Sequence, residues 1–151
     1  MTAEREGEMA TDHRWHGSPV SGNMPERVAR YPGELHNVTD ARLDAEQFLD
    51  DLAQVTPPTA PEHWDDILLV VTELTANAVQ YAPGPIEIRL RPTFDGVHLV
   101  VHDTSSTPPA PRPFHRDGSG GVGWHLVHAL CSQVSVVTND AGKDIHVFLP
   151  W

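Results

Sequence analysis

TELTANAV, residues 72–79, decides how the rest of this 151-residue chain is read. Its apolar residues recur at helical spacing. Its polar pair, Glu73 and Asn77, stands four apart and so projects from one helical face. Two readings of that pair are open: a solvated stripe, or a carboxylate and an amide aimed at one ligand.

The helix around this stretch is predicted to start near Pro61 and run to about Tyr81. Trp64, Ile67, Leu68, Val71, Leu74 and Ala78 form its buried stripe, and APGP (82–85) stops it. Upstream, Val38, Ala41, Ala45, Phe48, Leu49 and Leu52 predict an amphipathic helix over 37–54, which the prolines of VTPPTAPEHW (55–64) end. Downstream, Ile86, Ile88 and Leu90 alternate in one strand and Val97, Leu99 and Val101 in the next, with a turn at Phe94-Asp95-Gly96. TSSTPPAPRPFHRDGSGGVG (104–123) reads as a long loop, WHLVHALC (124–131) as a short helix, and QVSVVTN (133–139) and DIHVFLP (144–150) as strands joined at Asp140-Ala141-Gly142. The expected fold is α+β: a two-layer α/β sandwich with helices on one face of a mixed β-sheet. Residues 1–33 read as a flexible leader with VARYPG (28–33) as a short edge strand at its end, leaving 34–151 as the folded domain.

The formal net charge of −11 excludes a nucleic-acid or anionic-membrane surface built on a dense Lys/Arg footprint, and is compatible with a basic protein partner. A single Cys131 rules out an internal disulfide and fits a reducing compartment. With no apolar run of membrane-spanning length and no signal-peptide core, a cytoplasmic protein is expected.

Three segments lie where an element meets the long loop. Glu73 and Asn77 suit phosphoryl transfer, since a carboxylate can take a proton from an attacking hydroxyl and an amide oxygen is a hard Mg²⁺ ligand. Asp103 ends a strand, where it either accepts from an exocyclic amine such as that of adenine or caps its own turn. The run Gly118, Gly120, Gly121 and Gly123 precedes a helix, so it is either a phosphate cradle or a hinge. It lacks the Gly-Lys-Ser/Thr of a P-loop.

In this order, ELTANAVQYA, VVHD and GSGGVGWHLV closely resemble the three nucleotide-binding boxes of the GHKL ATPases, the superfamily of histidine kinases, gyrase B and MutL. Within that superfamily, ELTANAVQYA…VVHDTSSTPP…GVGWHLV…GKDIHVFLP looks most like the anti-sigma-factor serine kinases of the SpoIIAB/RsbW type. The resemblance spans about residues 34–150 and implies the Bergerat fold. It also implies ATP and Mg²⁺ as cofactors, with Asn77 as the Mg²⁺ ligand, Glu73 as the catalytic base and Asp103 as the reader of adenine. Gly118, Gly120, Gly121, Val122, Gly123 and Trp124 then line the phosphate side, residues 104–120 are the ATP lid, and Arg112 or Arg116 is a γ-phosphate clamp. The implied partners are a sigma factor and a STAS-type anti-sigma antagonist, the second phosphorylated on serine. A homodimer is compatible with this reading.

Three departures stand out. Trp124 replaces the usual leucine and must find room for an indole. Asp144 falls where a threonine commonly helps Asp103, so mutual repulsion of two carboxylates is expected. Four prolines (Pro108, Pro109, Pro111, Pro113) stiffen the lid. The ten histidines supply no recognisable zinc spacing. The alternative function is a catalytically inert module of the same fold that sequesters a protein partner.

Overall fold

A computed structural model describes residues 26–109 and 123–151. Strand β1 (Arg27–Tyr31) is followed by helices α1 (Asn37–Val55) and α2 (Glu62–Tyr81), then strands β2 (Ile86–Pro92) and β3 (Gly96–Asp103). Helix α3 (Gly123–Leu130) and the hairpin β4 (Gln133–Asn139) and β5 (Gly142–Pro150) complete the order.

The sheet runs β1-β2-β3-β5-β4, and every neighbouring pair is antiparallel. The two-layer sandwich is as expected; the strand sense is not, since a mixed sheet was anticipated. The segment from β3 through α3 to β4 is the kind of helical crossover that joins parallel strands. β3 and β4 do run the same way, but β5 turns back through a tight hairpin and inserts between them. The edge strand expected over 28–33 forms at Arg27–Tyr31. Arg27–Tyr31 pairs with β2 along its whole length, so the folded part begins ahead of residue 34. Residues 1–25, the rest of the expected leader, lie outside the described residues.

Alternation places Ile86, Ile88, Leu90, Val97, Leu99, Val101, Ile145, Val147 and Leu149 on the inner face, all buried. Phe48, Leu49 and Leu52 of α1 and Ile67, Val71 and Leu74 of α2 cover them. α1 starts where it does because Asn37, 1% exposed, accepts N–H bonds from Gly33 and Glu34 at 3.1 and 2.7 Å, forming a turn ahead of the helix. It stops at Val55, where the Thr56 N–H closes on the Leu52 carbonyl at 2.7 Å and Pro57 and Pro58 follow. The end of β5 is pinned to the linker between α1 and α2. Trp151 donates its indole N–H to the Thr56 carbonyl at 2.6 Å and packs against Trp64.

Candidate functional site

Helix α2 carries Glu73 and Asn77 on successive turns, both half-buried at the rim of the core rather than inside it. Among the described residues neither side chain forms a hydrogen bond, so their oxygens are available to a ligand. The first residue of α3 comes directly against this face. A Cβ built on Gly123 would run into the Glu73 carboxylate, so glycine lets the start of α3 approach without displacing that side chain. Two segments fifty residues apart, singled out separately in the sequence, therefore meet. Helix starts present free N–H groups and the positive end of the helix dipole.

The far end of α2 meets the far end of β3. The Thr104 hydroxyl donates to the Pro83 carbonyl at 3.1 Å, and Gly84, at φ +131°, packs on the Thr104 side chain. Asp103 closes β3 just beside this junction, 2% exposed on the helix-facing side of the sheet. Its Oδ1 accepts the Ser105 N–H at 2.9 Å, the turn-capping bond anticipated as one of its two roles. Both of its oxygens also lie 2.9 Å from the Lys143 ammonium, itself buried.

Lys143, which the sequence pattern did not single out, is the residue that faces Asp103 in place of Asp144. Asp144 does not face Asp103. It lies across from His102 on the outer face of the sheet and accepts from that ring at 2.6 Å. The expected repulsion between carboxylates is thus overturned. The signal was present: stepping back by two from Leu149, Val147 and Ile145 lands on Lys143, and a one-residue difference reverses the face. Gly142, at φ +140°, presses the hairpin onto the Asp103 carbonyl and fixes this register.

Trp124 is half-buried, packs against the core and meets His128 edge-on at 4.8 Å. It therefore finds its room in the helix layer. The remaining glycine-run residues (Gly118, Gly120, Gly121 and Val122), with Arg112, Arg116 and the prolines Pro111 and Pro113, lie outside the described residues. Among the described residues no group of three or more His, Cys, Asp or Glu could hold a metal ion, and no helix is long and apolar enough to cross a membrane.

The outer face holds a separate titratable cluster. His98 stacks between Phe148 (4.3 Å) and His146 (5.2 Å), and its ring nitrogens meet Arg91 at 2.9 Å and His146 at 3.0 Å. Burial, then Arg91 and His146, push its pKa below the ordinary histidine value. Burial would raise the Glu87 carboxyl, but Arg89 and Arg30 outweigh it and hold that group below the usual carboxylate range. His98, His146, Arg91, Glu87 and Arg89 line an open groove of about 490 Å³ on the side away from α2.

Comparison with known proteins follows the same lines. A family model described as histidine kinase-like ATPase domain matches residues 31–148. No curated protein matches the sequence. Among solved structures, the histidine kinase domain of the blue-light activated histidine kinase from Erythrobacter litoralis is 16% identical with a TM-score of 0.43, over 73% of this chain and 64% of that one. A further structure of that Erythrobacter litoralis kinase is 13% identical with a TM-score of 0.49, over 99% of this chain and 79% of the other.

Proposed function

This chain belongs to the histidine kinase-like ATPase domain family, and on that premise we propose that it binds ATP with Mg²⁺ and serves as an anti-sigma regulatory factor with protein serine kinase activity. The observation that carries the reading is the meeting of Glu73 with Gly123, which brings the start of α3 against the carboxylate-bearing face of α2. The donor set fits a metal–triphosphate. Asn77 offers a neutral hard oxygen, Glu73 a carboxylate, and the start of α3 a dipole suited to anions. Asn77 would hold the Mg²⁺, which neutralises phosphate charge when bound. Glu73 would take the proton of an acceptor serine, and the N–H groups of α3 would orient the phosphates. Phosphoryl transfer asks chiefly for such positioning and charge neutralisation.

A sigma factor to be sequestered and a STAS-type antagonist to be phosphorylated are the partners of this reading. The strongly acidic chain, at −11, suits a basic surface on one of them. The inert module is the second reading, and the Asp103–Lys143 pair favours it, because the carboxylate at the base end already has a partner.

Calorimetric titration of Mg·ATP separates the readings. Asn77→Ala is expected to abolish binding while the circular dichroism spectrum stays unchanged; unchanged affinity would overturn the site. Saturating nucleotide at a hundred times its Kd should add about 2.7 kcal/mol to stability, so a thermal melt at millimolar Mg·ATP that does not move favours the inert module. Transfer of label from γ-labelled ATP to a candidate antagonist, with Glu73→Ala as control, tests the kinase step.

A further inference from the structure

The buried ion pair at the end of β3 changes what a nucleotide meets at the base end. In the family resemblance, Asp103 takes an N–H from the exocyclic amine of adenine. In this chain that carboxylate already holds an ammonium and a backbone N–H. Oδ1 accepts from Ser105 N and Lys143 Nζ, both at 2.9 Å, and Oδ2 lies 2.9 Å from the same ammonium. Side-chain exposure is 3% for Asp103 and 7% for Lys143. A carboxylate has about four lone-pair directions, and three are occupied here.

The fourth lies on Oδ2, which the ammonium shares, on a side chain only 3% exposed, so an incoming amine would have to displace the ammonium to gain a comparable place. It is a neutral donor, so it lacks the direct charge–charge attraction that the ammonium adds to its hydrogen bond. Displacement would also leave Lys143 buried without a counter-charge, since its other polar contact is a 3.4 Å approach to the Ser105 carbonyl. Both comparisons favour the internal pair.

Resting on the nucleotide reading above, we propose that Lys143 is a specificity-determining residue: by holding the acceptors of Asp103, it makes this site indifferent to the exocyclic amine of the base. Affinity then resides at the triphosphate end, with Asn77 and α3. Purine triphosphates that lack the amine are accepted about as well as ATP.

The test compares ATP with purine riboside triphosphate, the same molecule carrying hydrogen in place of the amine, by calorimetry on the full chain with Mg²⁺. The native protein should bind the two within about threefold of each other. Lys143→Thr frees the carboxylate and should prefer ATP by at least tenfold. Lys143→Met, which removes the charge while keeping the apolar stem, should do the same, and far-UV circular dichroism verifies that each variant is folded. A native protein that already prefers ATP by tenfold overturns the proposal, as does a folded Lys143→Met protein that shows no gained preference. Folded native and variant proteins that all bind neither nucleotide would instead remove the nucleotide reading itself, and this inference with it.

Discussion

At Gly123 a single hydrogen atom decides how two segments meet. An added Cβ would collide with a Glu73 carboxylate oxygen, the far end of a flexible side chain. Gly123→Ala should therefore push the carboxylate aside while the helix itself gains propensity. Misplacing a catalytic group by about an ångström can cost on the order of a hundredfold in rate. We expect phosphoryl transfer in this variant to fall by about that factor with the unfolding midpoint within a few degrees of the native protein, measured by label transfer and thermal melt. Undiminished transfer would show that Glu73 is not the base. The pair itself was legible, because spacing of four on a helix fixes a shared face whatever surrounds it. Its neighbour Lys143 was not, since its role depends on which strand residue lies opposite Asp103, and register is a property of two strands together.

Among the elements, the β4–β5 hairpin has the most demanding geometry. Asn139 pairs with Gly142 across a two-residue turn, and the Ala141 N–H returns to the Asn139 side chain at 2.8 Å. Gly142 is at φ +140°, and a Cβ there would strike the Asp103 carbonyl. Gly142→Ala combines backbone strain with that clash and should cost about 1–3 kcal/mol, read as a lower urea midpoint at constant slope. A loss near zero would mean that β5 can shift without disturbing Asp103. Helices and strands were readable from the sequence because their periods, near 3.6 and 2, are local. The antiparallel sense of the whole sheet was not, because inserting β5 between β3 and β4 is a choice made by pairing partners rather than by any one segment. In α1, Phe48 is fully buried against the sheet, and Phe48→Ala should destabilise by about 3–5 kcal/mol in the same urea experiment.

Across the whole molecule the sheet separates two chemistries. Its inner face is apolar until Asp103 and Lys143, and its outer face carries histidines, arginines and carboxylates. This division gives stability a pH dependence unconnected to the proposed nucleotide site. His98 is approached by Arg91 from β2 and by His146 and Phe148 from β5, and its pKa is lowered by burial first, then by Arg91 and His146. The unfolded chain, at about pKa 6.5, takes up this proton before the folded one does. The contribution of neutral His98 is therefore fully present above the unfolded value. It is lost as pH falls through that value toward the lower folded one. Between about pH 7.5 and pH 5.5 the thermal midpoint of the native protein should drop, and His98→Gln should drop by less, because glutamine has no proton to gain. Equal slopes for the two proteins would place the proton elsewhere on that face. A change in Mg·ATP affinity that followed His98 would instead mean that the two faces of the sheet communicate.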